Sequence, residues 1–276
     1  MRGRRGFQKI VVNARGVAYA RQGSPRRPAQ VDGPMRREPE AGQDLTLSLD
    51  MEMTRVVERA FRGTASGAAV VVDVNTGRLR ALFSKPTFDL NQITAGLTPE
   101  AARELDQNPF RPRIDKTIFE NFYPGSTFKI VSALAALEEG ILQPRDQIRC
   151  EGFHELGRRT FRCSKPHGWV DMRSALIQSC NVYFYKLAEL TGMDRIARYA
   201  NEFGFGVRTG IGINREAAGF IPTRDWYARN YAGAFRLGYT LNSAIGQGNT
   251  KVTLLQLALA YAAIANGGDL RVPILI

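Results

Sequence analysis

The run PGSTFKIVSALAALEEG, residues 124 to 140, constrains the fold more than any other part of the sequence. Pro124 and Gly125 break the preceding chain, and the residues that follow are apolar around most of a helix. Because a surface helix would show a polar face, the run predicts a buried helix over about 126 to 139. Lys129 lies inside this apolar run, and a buried lysine needs a chemical reason.

Ser126 and Lys129 are three residues apart, so a helix places their side chains on one face, one turn apart. This geometry suits a nucleophile and its base, because a neutral lysine can take the proton of a serine hydroxyl. Burial and the positive end of the helix dipole both lower the pKa of such a lysine. The same dipole would stabilise an oxyanion forming at Ser126. The alternative is a serine cap followed by a solvated lysine.

A second polar element interrupts the apolar run ALIQSCNVYFYKLAEL. Ser179 and Asn181 follow a predicted turn and present a hydroxyl and an amide on the same side. The hydroxyl can relay a proton between a lysine and a leaving amine, and the amide can hold a substrate carbonyl. The alternative for this S-x-N string is an ordinary turn and helix cap.

The remaining pattern predicts an α+β chain. Residues 7 to 20 and residues 67 to 84 each resemble a hairpin, the second with its turn at Asn75 to Gly77. A linker over residues 23 to 43 separates the two. Asp50 is suited to cap a helix. Further helices are predicted near 99 to 106, at about 172 to 190, at 194 to 203 and at 253 to 266, and residues 86 to 122 are otherwise predicted as loop.

The formal net charge of +12 raises the question of nucleic-acid binding. Much of the excess lies in the first forty residues, and the rest is scattered without a recognisable nucleic-acid motif. We therefore expect no nucleic-acid partner. The sequence also lacks the run of about 18 apolar residues that a membrane helix needs.

The three cysteines, Cys150, Cys163 and Cys180, leave two interpretations open. One is a disulfide with a free thiol. The other is a structural zinc site completed by His167, since three thiolates and an imidazole are a ligand set of closed zinc sites. His154 is the rival histidine, closer in sequence to Cys150.

Together, S-x-x-K, S-x-N about fifty residues later, and AIGQGNTKVTLLQLALAYAAIANGG resemble the transpeptidase domain of class B penicillin-binding proteins. Within that class the chain is most similar to the penicillin-binding protein 2 subfamily. The resemblance implies the fold shared with serine β-lactamases, an antiparallel sheet flanked by helices. It implies a pedestal remnant and linker over residues 1 to 43 and a transpeptidase domain over residues 44 to 276. It assigns Ser126 as the acylated nucleophile, Lys129 as its base, and Ser179 with Asn181 as the second motif.

Two departures from the family pattern carry expectations of their own. The third family motif, K-S/T-G, is absent, and the nearest string, at residues 251 to 253, lacks the glycine and opens a helix. Leu254 stands where the family usually has proline. We expect an internal fragment that begins after a membrane anchor, ends before the C-terminal strands, and has little transpeptidase activity alone.

The resemblance also implies a function. The parent protein would be a D,D-transpeptidase that cross-links peptidoglycan stem peptides during cell-wall elongation, and β-lactams would acylate Ser126. Catalysis would need no cofactor, while relatives that carry a metal at matching positions favour the zinc interpretation and His167. The protein would be anchored in the cytoplasmic membrane, face the periplasm, and work with a glycosyltransferase and other elongation proteins. The alternatives are a serine β-lactamase or β-lactam sensor, and a non-catalytic scaffold of the cell-wall machinery.

Overall fold

The computed structural model describes residues 11–12, 18–19, 46–89, 91, 93, 96–213, 215–231 and 234–276. Contacts divide the chain into two units, residues 1–46 and residues 47–276. In the first unit, strand β1 (Val11–Val12) pairs antiparallel with strand β2 (Ala18–Tyr19), as the predicted hairpin requires. The predicted turn between these strands and the linker over residues 23 to 43 lie outside the described residues. The assignment of this unit to a pedestal domain stays a prediction.

The second unit begins with a helix and a hairpin that the sequence predicted. Helix α1 (Met51–Ala60) starts at Asp50, whose carboxylate accepts the N–H groups of the first turn. Strands β3 (Gly67–Val72) and β4 (Leu79–Lys85) pair antiparallel. The Asp73 carboxylate closes their turn by accepting the N–H groups of Asn75 and Thr76.

Helices make up most of the rest of this unit. They are α2 (Pro99–Gln107), α3 (Lys129–Glu138), α4 (Met172–Ile177), α5 (Asn181–Thr191), α6 (Met193–Glu202), α7 (Arg224–Asn230), α8 (Leu237–Ala244) and α9 (Leu254–Ala265). The prediction of one helix over about 172 to 190 was wrong, because the chain turns at residues 178 to 180 and separates α4 from α5. Helices α7 and α8 were not predicted.

Four short strands, also not predicted, lie between α3 and α4. Strand β5 (Ile148–Cys150) pairs with β8 (Gly168–Val170), and between them β6 (Phe153–Leu156) pairs with β7 (Arg159–Arg162). This arrangement brings two of the three cysteines near the end of β5.

Helix α3 is buried, as its composition predicts. Six of its ten residues are buried, among them Lys129 and Ser132. Its small residues Ala133 and Ala136 pack against Tyr183 of α5 in the largest core cluster. The predicted start of this helix needs a correction, because a 3₁₀ turn (Gly125–Phe128) precedes it. Ser126 therefore lies in the 3₁₀ turn and not at the first residue of the α-helix.

The last residues of the chain lie beside the hairpin. Arg78 and Ile274 form a parallel bridge, and the Ser48 hydroxyl donates to the carbonyls of Leu79 and Ile274. These contacts fix the edge of β4 that faces away from β3. Among the described helices, none combines the length and the apolar character needed to cross a membrane.

Candidate active site and metal site

The 3₁₀ turn that carries Ser126 is held by backbone contact with a distant loop. Gly125 donates its N–H to the carbonyl of Gly246 at 3.0 Å. Gly246 has a φ of +67°, and a Cβ there would lie 2.3 Å from the Gly125 carbonyl oxygen. Only glycine fits this position. Ser126 itself is exposed, so an outside molecule can reach its hydroxyl.

Lys129 lies beneath the serine with a side chain that is 1% exposed. Its ammonium Nζ donates to the Ser179 carbonyl at 2.8 Å, to Ser179 Oγ at 2.9 Å and to Asn181 Oδ1 at 2.7 Å. Burial lowers the pKa of Lys129 to about 8, although charge on the Cys163 and Cys180 thiols would oppose this shift. About one lysine in ten is then neutral at pH 7, enough to supply a base.

Ser179 connects this lysine to Ser126. Its hydroxyl Oγ lies 2.7 Å from Ser126 Oγ and within hydrogen-bond distance of Lys129 Nζ. Among the described residues, one hydrogen bond joins Lys129 to the Ser179 hydroxyl and another joins this hydroxyl to Ser126. The structure thus brings together all four residues that the sequence singled out, with Asn181 on the far side of Lys129. Their catalytic roles stay predictions.

The backbone of Ser179 explains how its side chain reaches the site. Ser179 has a φ of 52°, which is the left-handed region. It ends helix α4 in a Schellman motif, in which Ser179 donates to Leu176 and Cys180 donates to Ala175. Glycine is the usual residue at this position, so serine here retains a strained conformation and provides a hydroxyl that contacts Lys129 and Ser126.

Asn181 begins helix α5 and bonds in two directions. Its Oδ1 accepts from Lys129, and its Nδ2 donates to the carbonyl of Arg162 on β7 at 3.4 Å. The β6–β7 hairpin therefore lies directly beside the second motif. Sequence reasoning missed this hairpin, although Gly157 at its turn was an available signal.

The predicted metal ligands also come together. The ligand atoms of Cys150, Cys163, His167 and Cys180 all lie within 4.8 Å of one another. His167 Nδ1 is 3.5 Å from the Sγ atoms of both Cys150 and Cys163. Bond lengths of about 2.3 Å to sulfur and about 2.0 Å to nitrogen give a tetrahedral zinc site N···S edges near 3.5 Å. The donor set and its spacing fit Zn²⁺.

The pKa shifts of His167 and Cys163 favour a bound zinc ion, whereas burial raises the pKa of the Cys180 thiol to about 12. All three cysteines are free thiols in the structure. Burial lowers the pKa of His167, which keeps its imidazole neutral. Burial opposes ionisation of Cys163, but N–H groups of Val182 and Asn181 outweigh it and lower the pKa of that thiol.

The rival histidine, His154, lies elsewhere. Its Nε2 is 3.0 Å from Glu189 Oε1 on α5, and it does not belong to the thiol cluster. The cluster instead touches the second motif, because Asn181 donates its N–H to Cys163 Sγ at 3.2 Å. Cys180 itself stands between Ser179 and Asn181.

A sequence model described as the penicillin binding protein transpeptidase domain matches residues 67–276. The chain belongs to this family. The resemblance drawn from S-x-x-K, S-x-N and the AIGQGN segment is thereby confirmed.

Individual relatives agree with this assignment. The peptidoglycan D,D-transpeptidase MrdA of Acinetobacter baumannii is 36% identical over 242 residues, which cover 86% of this chain and 36% of that protein. The chain therefore spans about a third of the length of this relative.

Solved structures confirm the predicted α+β transpeptidase fold. Pseudomonas aeruginosa PBP2, in complex with WCK 5153, matches with a TM-score of 0.79 and 33% identity over 83% of this chain and 53% of that one. Helicobacter pylori PBP2, in complex with MreC, matches with a TM-score of 0.79 and 28% identity over 83% of this chain and 43% of that one.

Proposed function

We propose that this chain forms the nucleophile-bearing part of a peptidoglycan D,D-transpeptidase of the penicillin-binding protein 2 type. The observation that supports the proposal most is the hydrogen-bonded path from buried Lys129 through Ser179 to exposed Ser126. A purely structural role would not explain why this lysine is buried, has a lowered pKa and lies close to an exposed serine hydroxyl.

The mechanism follows from this path. Neutral Lys129 takes the Ser126 proton by way of the Ser179 hydroxyl, while Ser126 Oγ attacks the carbonyl of the penultimate D-alanine of a stem peptide. The resulting tetrahedral intermediate collapses, the C–N bond breaks, and the terminal D-alanine leaves with the proton that Ser179 returns. An amine of a neighbouring strand then attacks the acyl-serine and passes its proton through Ser179 to Lys129. As the ester C–O bond breaks, Lys129 returns this proton through Ser179 to Ser126 Oγ, which restores the free serine and the neutral lysine.

The test is covalent labelling by a fluorescent penicillin. The β-lactam ring imitates the D-Ala-D-Ala end, so we expect one adduct per chain of the full-length gene product, located by peptide mass spectrometry on Ser126. The adduct should persist for hours, whereas a β-lactamase would release it by hydrolysis. Ser126→Ala is the matched control. Absence of any label on the wild-type protein would support a non-catalytic scaffold and refute the proposal.

We also propose a structural zinc ion held by Cys150, Cys163, His167 and Cys180. The converging donor atoms and the 3.5 Å distances from His167 Nδ1 to the Sγ atoms of Cys150 and Cys163 support it. A bound zinc ion would supply binding free energy to the folded state and would fix the turn between α4 and α5. It would take no part in acyl transfer, so catalysis would need no cofactor.

Metal analysis after dialysis tests this site. We expect about one zinc per chain, lost in Cys150→Ala and retained in His154→Gln, which keeps a hydrogen-bonding side chain outside the cluster. Chelation should lower the melting temperature of the wild-type protein by several degrees and leave that of Cys150→Ala unchanged. A metal-free protein with a disulfide between Cys150 and Cys163 would contradict the proposal.

We propose further that the protein acts outside the cytoplasmic membrane, anchored to it, within an elongation complex. The complex of H. pylori PBP2 with MreC supports a partner of that kind, and the cross-linking reaction needs a glycosyltransferase to supply glycan strands. Affinity purification of the tagged full-length protein from solubilised membranes should recover both partners. Recovery of the protein in the cytoplasmic fraction alone would refute this location.

A further inference from the structure

A cavity of about 350 Å³ lies between the β6–β7 hairpin and the start of α8. We call it the hairpin pocket. Four apolar or aromatic side chains and two arginines form much of its wall. These residues are Leu156, Phe161, Leu237, Tyr239, Arg159 and Arg236.

Positive charge surrounds this apolar wall. Arg159 and Arg236 are both exposed, and neither forms an ion pair with a carboxylate of the described residues. Helix α8 begins at the pocket, and Arg236 at its N-cap provides no side-chain hydrogen bond to the first turn. The positive end of the helix dipole therefore adds to the charge of the two guanidinium groups. A ligand that fits this environment carries a carboxylate on an aliphatic arm.

The walls of the hairpin pocket continue into the candidate active site. Phe161 precedes Arg162, whose carbonyl accepts from Asn181 of the second motif. On the other side, the carbonyl of Asn242 accepts the N–H of Gln247, in the loop that contacts the Ser126 turn through Gly246. The pocket therefore lies beside both the second motif and the loop that holds the Ser126 turn.

We propose that the hairpin pocket binds an acidic residue of the stem peptide that precedes its D-Ala-D-Ala end. This inference rests on the proposed function. Arg159 lies three positions before Arg162 on strand β7, a span of about 10 Å. An extended peptide covers the same span in about three residues. The carboxylate held by Arg159 and Arg236 therefore belongs to a residue at least two positions before the reacting carbonyl, and the pocket selects stem peptides in which that carboxylate is free.

A protection experiment with two matched peptides tests the pocket. The probes are N-acetyl-L-Ala-D-γ-Glu-L-Lys-D-Ala-D-Ala with a free α-carboxylate on the glutamate and the same peptide with that group as a carboxamide. Each peptide competes with fluorescent penicillin for Ser126 in the full-length protein, and the inhibition constant is measured. We expect the carboxylate peptide to protect at concentrations about tenfold lower, because only it pairs with the arginines.

Substitutions locate the effect. The double variant Arg159→Ala with Arg236→Ala should abolish the tenfold preference and leave the rate of penicillin acylation within about twofold of wild type. Double replacement by lysine should restore part of the preference, since the charge is kept but the planar fork is lost. Arg158→Ala is the matched control, because Arg158 is exposed on the same hairpin and does not line the pocket.

The outcomes separate the pocket from the proposed function. A wild-type protein that penicillin does not label refutes the transpeptidase itself. A protein that is labelled, but that the two peptides protect equally or not at all, refutes the pocket assignment alone. A preference that survives the double alanine variant also refutes it.

Discussion

Ser179 has a backbone conformation that glycine would adopt at lower cost and a hydroxyl that glycine cannot provide. Its φ of 52° lies in the left-handed region, and its Oγ contacts both Lys129 and Ser126. Local strain of this kind persists where surrounding contacts fix the residue. The residue thus gives up stability for a position between Lys129 and Ser126.

Replacing Ser179 separates these two effects. Ser179→Gly and Ser179→Ala both remove the hydroxyl, but only glycine relieves the left-handed conformation. We expect Ser179→Gly to exceed Ser179→Ala in free energy of unfolding by about 1 kcal/mol, measured by urea denaturation. Both should acylate with penicillin at least about a hundredfold more slowly than wild type. Equal stability of the two variants would contradict the strain argument, and wild-type rates in either would contradict the relay.

We predict that Lys129 sets the pH dependence of acylation. Its base form is the neutral amine, and burial places the pKa near 8. The second-order rate constant for penicillin should therefore rise about tenfold from pH 6 to pH 7 and level off above about pH 8. Stopped-flow fluorescence measures this profile. A flat profile between pH 6 and pH 8 would show that a different group accepts the proton.

At the scale of the elements, the 3₁₀ turn of Ser126 depends on a loop more than a hundred residues away. The turn and the loop after α8 meet backbone to backbone at Gly125 and Gly246, with no room for a side chain. Neither glycine carries chemistry. Their contact holds the turn that carries Ser126 in place.

A matched pair of glycine substitutions tests this contact. Gly246 and Gly140 have φ values of 67° and 64°, but a Cβ at Gly140 meets nothing within 4 Å. Both changes to alanine should cost about 1 kcal/mol through the left-handed backbone. Only Gly246→Ala should displace the serine turn, and we expect its acylation rate to fall at least about a hundredfold while Gly140→Ala stays within about twofold of wild type. Similar rates in the two variants would argue against the contact.

Local signals mark three of the elements that the sequence predicted, although Thr223 also caps helix α7, which was missed. Asp50 caps α1, Asp73 closes the β3–β4 turn, and Thr253 with Gln256 forms a capping box at α9. Each signal acts over three or four residues and is visible in the sequence. Helix α8 starts at Arg236 without a side-chain cap, so its beginning left no such mark.

Long-range pairing set the limit of prediction for the site. The proximity of Ser126 and Lys129 could be predicted because the two residues are three positions apart in one helical turn. The metal site could be predicted because cysteine and histidine are typical zinc ligands. Strands β5 and β8 have three residues each and pair across an inserted hairpin, which no periodicity reveals. The Gly125–Gly246 contact and the hairpin pocket depend on such pairing and emerge only from the fold.

At the scale of the whole second unit, Gln256 joins α9 to two separate loops. Its side chain is 1% exposed. Its Nε2 donates to the carbonyls of Val207 and Ala218, and its Oε1 accepts from the N–H of Thr253. One amide therefore satisfies two carbonyls from distant parts of the chain and the N–H of its own helix cap.

Removing this amide should destabilise the unit as a whole. We expect Gln256→Ala to lower the free energy of unfolding by about 2–4 kcal/mol, because two part-buried carbonyls lose their donor and the helix loses its capping box. Gln143→Ala, at an exposed glutamine, should stay within about 0.5 kcal/mol of wild type. Urea denaturation followed by circular dichroism measures both. A loss below about 1 kcal/mol in Gln256→Ala would show that other groups or water replace the amide.

We predict that the contact between Gly125 and Gly246 also determines when Ser126 becomes reactive during synthesis of the chain. About 120 residues separate the two glycines. A ribosome that adds about 5–20 residues per second takes about 6–24 s to make that stretch. Throughout this interval the segment that contains Ser126 has been made, but Gly246, which contacts its turn in the folded protein, has not. Nascent chains arrested before residue 246 should therefore stay unlabelled by penicillin, and reactivity should begin only when the later loop has left the exit tunnel.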